Sequence, residues 1–322
     1  MSNKYEVIPA SENNRITSFG SEDDAKNINP AVMYLLSLEA ETSKTTMDSF
    51  LNIVARMLGY NTLYDCDWPS MRRHHVQMII EMLKNSKRAP STINTYLSAL
   101  KSVAYEAWCL KQIDGDTLER IKAVKTVKGT RLQKGRALLT DEIKALIQCC
   151  NEDCSAIGVR DKTILTVLIG CGLRRSEVVG LDMSSIIAQE KAFKVLGKGN
   201  KERISYMPPA VWENIQTWIG RYRGDGSGPL FPRIRKNEDV TSERVTSQAV
   251  HYLLEKRQIQ AGIKKCAPHD LRRTYATIMI EDGVDIMTIK DSMGHASVNT
   301  TERYLRHGND KMKKAAEGFK GF

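Results

Sequence analysis

From Pro30 onward, apolar residues return every three or four positions, segment after segment. The every-second-residue alternation of a strand is clear only once, over residues 192–206. Side chains repeat with period 3.6 along a helix and period 2 along a strand, so this imbalance restricts the chain to a mainly α fold with a small β-hairpin or sheet (α+β). Helices are expected at 31–41, 45–58, 70–83 and 91–111, the last with Ile93, Leu97, Leu100 and Ala104 in one stripe. No strand signal precedes position 130, so the first unit should be all-helical. Farther on, helices are expected at 140–150, 161–169, 210–222, 242–261, 269–282, 285–293 and 298–305. The alternating stretch carries Phe193, Val195, Ile204 and Tyr206 around Gly197-Lys198-Gly199-Asn200-Lys201, a hairpin with a glycine-rich basic tip.

At 322 residues the chain exceeds one typical domain. Composition divides it into a polar flexible arm at 1–28, a helical unit at 29–124, a linker at 125–136 and a second unit at 137–322. Between Lys122 and Arg136 lie six basic residues, Lys122, Lys125, Lys128, Arg131, Lys134 and Arg136, and no acidic one. Such a segment fits a hinge lying along a polyanion, and on composition alone it is equally a soluble tether. A net charge of +10 favours a polyanionic partner without requiring one. The seven cysteines form no CxxC pair and read as reduced thiols of a cytosolic protein. Cys150 and Cys154 read as small apolar residues buried in a helix. The first residues lack the apolar run of a signal peptide, and no segment approaches the roughly 20 apolar residues of a membrane span.

Four separated stretches place a basic or nucleophilic group at a local break. In Gly172-Leu173-Arg174-Arg175-Ser176-Glu177, a planar guanidinium could hold two phosphate oxygens, with Glu177 three positions on to orient it. Alone, the stretch reads more readily as a surface ion pair. Lys198, between two glycines at the hairpin tip, could swing toward a ligand and donate a proton, or be solvated. His269 and Arg272, just after Pro268, share a helix face, as residues of any surface helix would at that spacing. Gly294-His295 precedes Tyr304 by nine positions, counted from the histidine. A tyrosine can attack phosphorus where cations stabilise the developing charge, or simply fill a core.

Taken together, the order and spacing of these elements resemble the tyrosine recombinase (phage integrase) family. Its pattern is Gly-Leu-Arg-x-x-Glu, a Gly-Lys-Gly hairpin, His-x-x-Arg, then Gly-His and a tyrosine nine further on. The match covers about 139–305, and the preceding helical unit is similar to the family's core-binding domain by pattern only. The resemblance implies a core-binding domain and a catalytic domain forming a C-shaped clamp on duplex DNA. It implies that Tyr304 attacks a phosphodiester, leaving a 3′-phosphotyrosyl link and a 5′-hydroxyl. It further implies that Arg174 and Arg272 hold the non-bridging oxygens, Lys198 is the general acid, His269 the general base, and His295 a further phosphate support. Glu177 would brace Arg174. Arg273 stands where many members carry histidine, and Ser292-Met293 where leucines are usual.

No cofactor is implied, and no HExxH, paired-carboxylate or GxxxxGK[ST] motif occurs in the sequence. A short basic helix is expected at 309–319, with Met312, Ala315 and Phe319 on one face. Alone it reads equally as a frayed tail, and the resemblance implies that it docks into a neighbouring subunit of a homotetramer assembled on two DNA sites with inverted repeats. Lys87, Arg88, Thr92, Thr95, Lys101, Lys128 and Arg131 are candidate DNA contacts. The function implied is site-specific cleavage and rejoining of DNA, for integration, excision or resolution of a mobile element or replicon. An accessory DNA-binding protein with an inactive site, or a relaxing enzyme with the same strand chemistry, are the alternatives.

Overall fold

The computed structural model describes residues 27–129, 135–197 and 201–294. The chain divides into two compact units, Met1–Gln133 and Lys134–Phe322, and each closes a core of its own.

The described part of the first unit is helical: α1 (Pro30–Ser37), α2 (Glu41–Met57), α3 (Arg73–Asn85), α4 (Pro90–Cys109) and α5 (Gly115–Lys122). The Asn29 side chain accepts from the Ala31 amide at 2.9 Å, and Pro30 and Pro90 open their helices with φ already fixed. Helix α4 is central. It buries Ile93, Tyr96, Leu97, Leu100 and Val103, and each such side chain contributes about 1.5–3 kcal/mol of burial. Phe50 stacks on Tyr96 with ring centroids 4.1 Å apart, and the Trp68 indole donates to the Leu63 carbonyl at 2.8 Å. Helix α5 has no counterpart in the periodicity. It is eight residues long, buries only Leu118 and Ile121, and is started by Asp114, whose carboxylate accepts from the Thr117 amide at 2.6 Å.

The second unit is built around α7 (Ala156–Gly170), which packs against α6 (Thr140–Asn151), α9 (Pro209–Trp218) and α11 (Pro268–Glu281). Apolar residues surround α7 on nearly all sides, the pattern of a helix buried in a core. Ser155 caps it, so it begins before the 161–169 stretch that the sequence marks. After α8 (Arg175–Gly180) comes an antiparallel sheet in the order β1 (Ile186–Ile187), β2 (Ala192–Leu196), β3 (Glu202–Tyr206). Phe193 lies opposite Ser205 and Val195 opposite Arg203, so these four share one face.

Three expectations need correction. The helix expected at 242–261 is two elements, β5 (Val240–Arg244), paired with β4 (Pro232–Ile234), and α10 (Ser247–Gln260). Strand β5 is polar and has no buried residue, so it carries no alternation to read. The helix expected at 210–222 gives way after Trp218 to a wider turn over Ile219–Arg223. Cys150 is buried as expected, but Cys154 lies beyond the end of α6 and is exposed. The last described helix is α12 (Ile286–Met293), whose Ile289 and Met293 pack with Ala276 of α11. Among the described residues no helix is long and apolar enough to cross a membrane, and no group of three or more His, Cys, Asp or Glu could hold a metal.

Candidate active site

Helix α7 delivers the chain to a turn at Gly172, where φ is +59°. A Cβ there would stand 2.3 Å from the Tyr275 ring, so neither the backbone nor the space admits a side chain. The turn sets Arg174 as the residue capping α8. Glu177, one turn on, accepts from the Arg174 amide at 2.7 Å through Oε2 and from its Nη1 at 2.7 Å through Oε1. Carboxylate and guanidinium are therefore locked together at the start of a helix, where the exposed amides also favour an anion.

Two more arginines converge on that carboxylate. Arg203 of β3 donates from Nη1 to Oε1 at 3.1 Å and from Nη2 to Oε2 at 2.9 Å. Arg272 of α11 approaches Oε2 to 3.7 Å while giving Nη1 to the Gly172 carbonyl and Nη2 to the Met293 carbonyl, each at 2.6 Å. Three guanidiniums facing one carboxylate leave a local excess of two positive charges. Burial alone would raise the Glu177 carboxyl. Hydrogen bonds from Arg203 and from the Arg174 amide override it and hold the pKa at about 2. Glu177 is thus an anion at every physiological pH.

Arg272 is almost fully buried, whereas the Arg174 side chain is about one-third exposed, 36% by area, and also donates to the Gly294 carbonyl at 3.1 Å. Gly294 closes α12 in the left-handed conformation, φ +62°, with the Arg203 side chain 3.0 Å from where a Cβ would stand. The ends of α7 and α12 and the start of α8 therefore meet at this cluster.

His269 is the second residue of α11, exposed at its surface. Partial desolvation and the charges of Arg273, Arg272 and Arg174 push its pKa below the ordinary imidazole value, with Asp270 opposing. It is neutral at neutral pH, the form that accepts a proton. Arg273, which stands where many family members carry histidine, is 2% exposed and paired with Asp270 at 3.3 Å. Asp270 also accepts from the amides of Arg136 at 3.2 Å and Ala267 at 2.9 Å, which fixes the start of α11. Tyr275 donates to the Ser292 hydroxyl at 3.1 Å.

Of the residues singled out in the sequence, Arg174, Glu177, Arg272 and His269 are brought to one region. Lys198, His295 and Tyr304 lie outside the described residues. Gly197 and Lys201, which bracket the hairpin tip, are joined by an amide–carbonyl bond of 2.7 Å. In the first unit Lys87 and Arg88 occupy the exposed turn before α4, Thr92 and Thr95 lie on its first turns, and Lys128 is exposed. Lys101 gives its ammonium to the Val124 carbonyl at 2.8 Å, and Arg131 lies outside the described residues. Sequence reasoning missed Arg203. The available signal was its register: it shares the inward face of the hairpin with Ser205, where an arginine needs a carboxylate.

Residues 136–311 match the model of the Phage integrase family. The chain is 27% identical over 296 residues to the tyrosine recombinase XerC of Staphylococcus carnosus, covering 89% of this chain and 95% of that one. It is 33% identical over 228 residues to the tyrosine recombinase XerA of Pyrococcus furiosus, covering 70% of this chain and 73% of that protein. Its fold is similar to that of lambda integrase in the crystal structure of a tetramer bound to a Holliday junction. That match has a TM-score of 0.63 at 13% identity and covers 85% of this chain and 77% of the other.

Proposed function

The chain belongs to the phage integrase family of DNA strand-cleaving and rejoining enzymes, and from that premise we propose a site-specific recombinase that acts through a 3′-phosphotyrosyl intermediate. The observation that carries the reading is the arginine cluster around Glu177. A buried carboxylate that fixes Arg174 and lies beside Arg272 supports a pre-organised cradle for a phosphodiester. The two guanidiniums meet the non-bridging oxygens and stabilise the charge that grows on them as phosphorus becomes five-coordinate.

The Tyr304 hydroxyl attacks phosphorus, and the bond from phosphorus to the 5′-oxygen breaks. His269, held neutral beside the arginines, takes the phenolic proton, and Lys198 returns one to the departing oxygen. His295 supports the phosphate. One ester has replaced another, so the energy of the broken bond is kept. A 5′-hydroxyl from the same or a second duplex reverses each step and rejoins the strand. The helical unit holds the duplex through Lys87, Arg88, Thr92, Thr95 and Lys128, and four copies act on two sites, joined through the 309–319 segment. Integration, excision or resolution of a mobile element or replicon are outcomes of this one exchange.

Nicked duplexes tiled across the DNA flanking the chain's own gene test the reading, because a nick beside the cleavage point lets the 5′-hydroxyl fragment escape. A covalent protein–DNA band on a denaturing gel, absent with Tyr304→Phe, is the expected result. No band, or a band that survives that substitution, rejects it.

A further inference from the structure

We propose that Arg203 is a positioning residue for strand cleavage, setting Arg174 and the end of α12 through Glu177 and the Ser292 carbonyl. This rests on the function proposed above. Arg203 uses all three of its nitrogens: Nη1 and Nη2 on the two oxygens of Glu177, and Nε on the Ser292 carbonyl at 3.0 Å. Its side chain is only 12% exposed, so these bonds form away from bulk water, where a guanidinium fork holds geometry best.

The three partners belong to three parts of the site. Glu177 grips the amide and guanidinium of Arg174. Ser292 lies two residues before Gly294, whose carbonyl receives Arg174 Nη2 and which His295 follows directly. Arg203 itself stands five residues beyond Lys198 in the sequence, on the hairpin whose strands are joined by the bond between Gly197 and Lys201. One side chain thereby ties β3 to the end of α12, which precedes His295 in the sequence. The carboxylate behind Arg174 is held in the same bond set. Glu177 is also held by Arg174 and faced by Arg272, so loss of Arg203 leaves the carboxylate charged but without the fork that fixes its two oxygens from the hairpin side. The bond from Nε to the Ser292 carbonyl ties down the last turn of α12, and its loss releases that turn.

The test compares Arg203→Ala and Arg203→Lys with the wild-type chain on the nicked-duplex pool, under single-turnover conditions. A misplacement of about 1 Å near reacting atoms costs roughly 100-fold in rate, and that is the loss expected for Arg203→Ala at saturating DNA. The half-saturating DNA concentration should be unchanged, and Arg203→Lys should recover part of the rate by restoring the charge without the fork. Lys194→Ala, on the solvent face of the same hairpin, should cleave at the wild-type rate. In the free chain, hydrogen exchange at the amides of residues 290–294 should rise at least about tenfold in Arg203→Ala, as expected for local opening. An unchanged cleavage rate or unchanged exchange overturns the proposal. So does a parallel loss of rate, DNA affinity and thermal midpoint in both variants, the signature of a merely structural residue. No adduct from the wild-type chain overturns the function itself, a result that no difference between variants can mimic.

Discussion

Glu177 shows how a single side chain links sequence to chemistry. Its position three residues after Arg174 is visible in the sequence, and so is its pairing with that arginine. Its burial and its second arginine are not, because they depend on which face of the hairpin turns inward. The folded pKa of about 2 lies below the ordinary carboxyl value of 4.5, so the charged form stabilises the fold above that value. That stability is lost as pH falls from about 4.5 through about 2, and integrates to about 3 kcal/mol. Denaturant titrations between pH 6 and 2 should therefore show a steep acid limb that is flatter in Glu177→Gln. His269 supplies a second test of sign. Its lowered pKa keeps it neutral to lower pH, so the acid limb of the cleavage rate should fall below pH 6.5, and a limb above that value contradicts the role of base proposed for it. Gly172→Ala meets both a positive φ and the Tyr275 ring, and should destabilise the second unit by about 2–4 kcal/mol in urea unfolding.

Elements were legible where burial imposes a period, and illegible where it does not. The stripe of α4 and the alternation of β2 and β3 follow from one buried face each, and the sequence marks them nearly to their ends. Helix α5 and strands β4 and β5 are short and mostly exposed, so local caps and pairing define them and no hydrophobic rhythm announces them. Arg257 is a further case. Within α10 it reads as a surface cation, yet it is 1% exposed and binds Asp161 of α7 at 2.9 Å and Asp153 of the loop before α7 at 2.7 Å. It staples two helices through the core. Removing Arg257 leaves the buried Asp161 with Arg160 as its remaining partner, so Arg257→Ala should cost about 3 kcal/mol by chemical denaturation. The exposed pair Arg233–Glu243, between β4 and β5, should cost less than about 1 kcal/mol when Arg233 is replaced by alanine.

For the whole molecule, a helical unit with exposed cations and a second unit with a recessed arginine cluster accord with a formal charge of +10. The order and spacing of the four short motifs were legible along the chain, whereas the packing that brings Arg174 and Glu177 to His269 and Arg272 depends on contacts between residues about 100 positions apart, such as Arg272 with Gly172. The central claim is that Tyr304 is the residue joined to DNA. Protease digestion of the trapped adduct, followed by mass spectrometry of the linked peptide, tests it most directly. A peptide containing Tyr304 bonded to a DNA 3′-phosphate is expected, with a 5′-hydroxyl on the released fragment. Linkage through Tyr275 or any other residue, or to a 5′-phosphate, would contradict it.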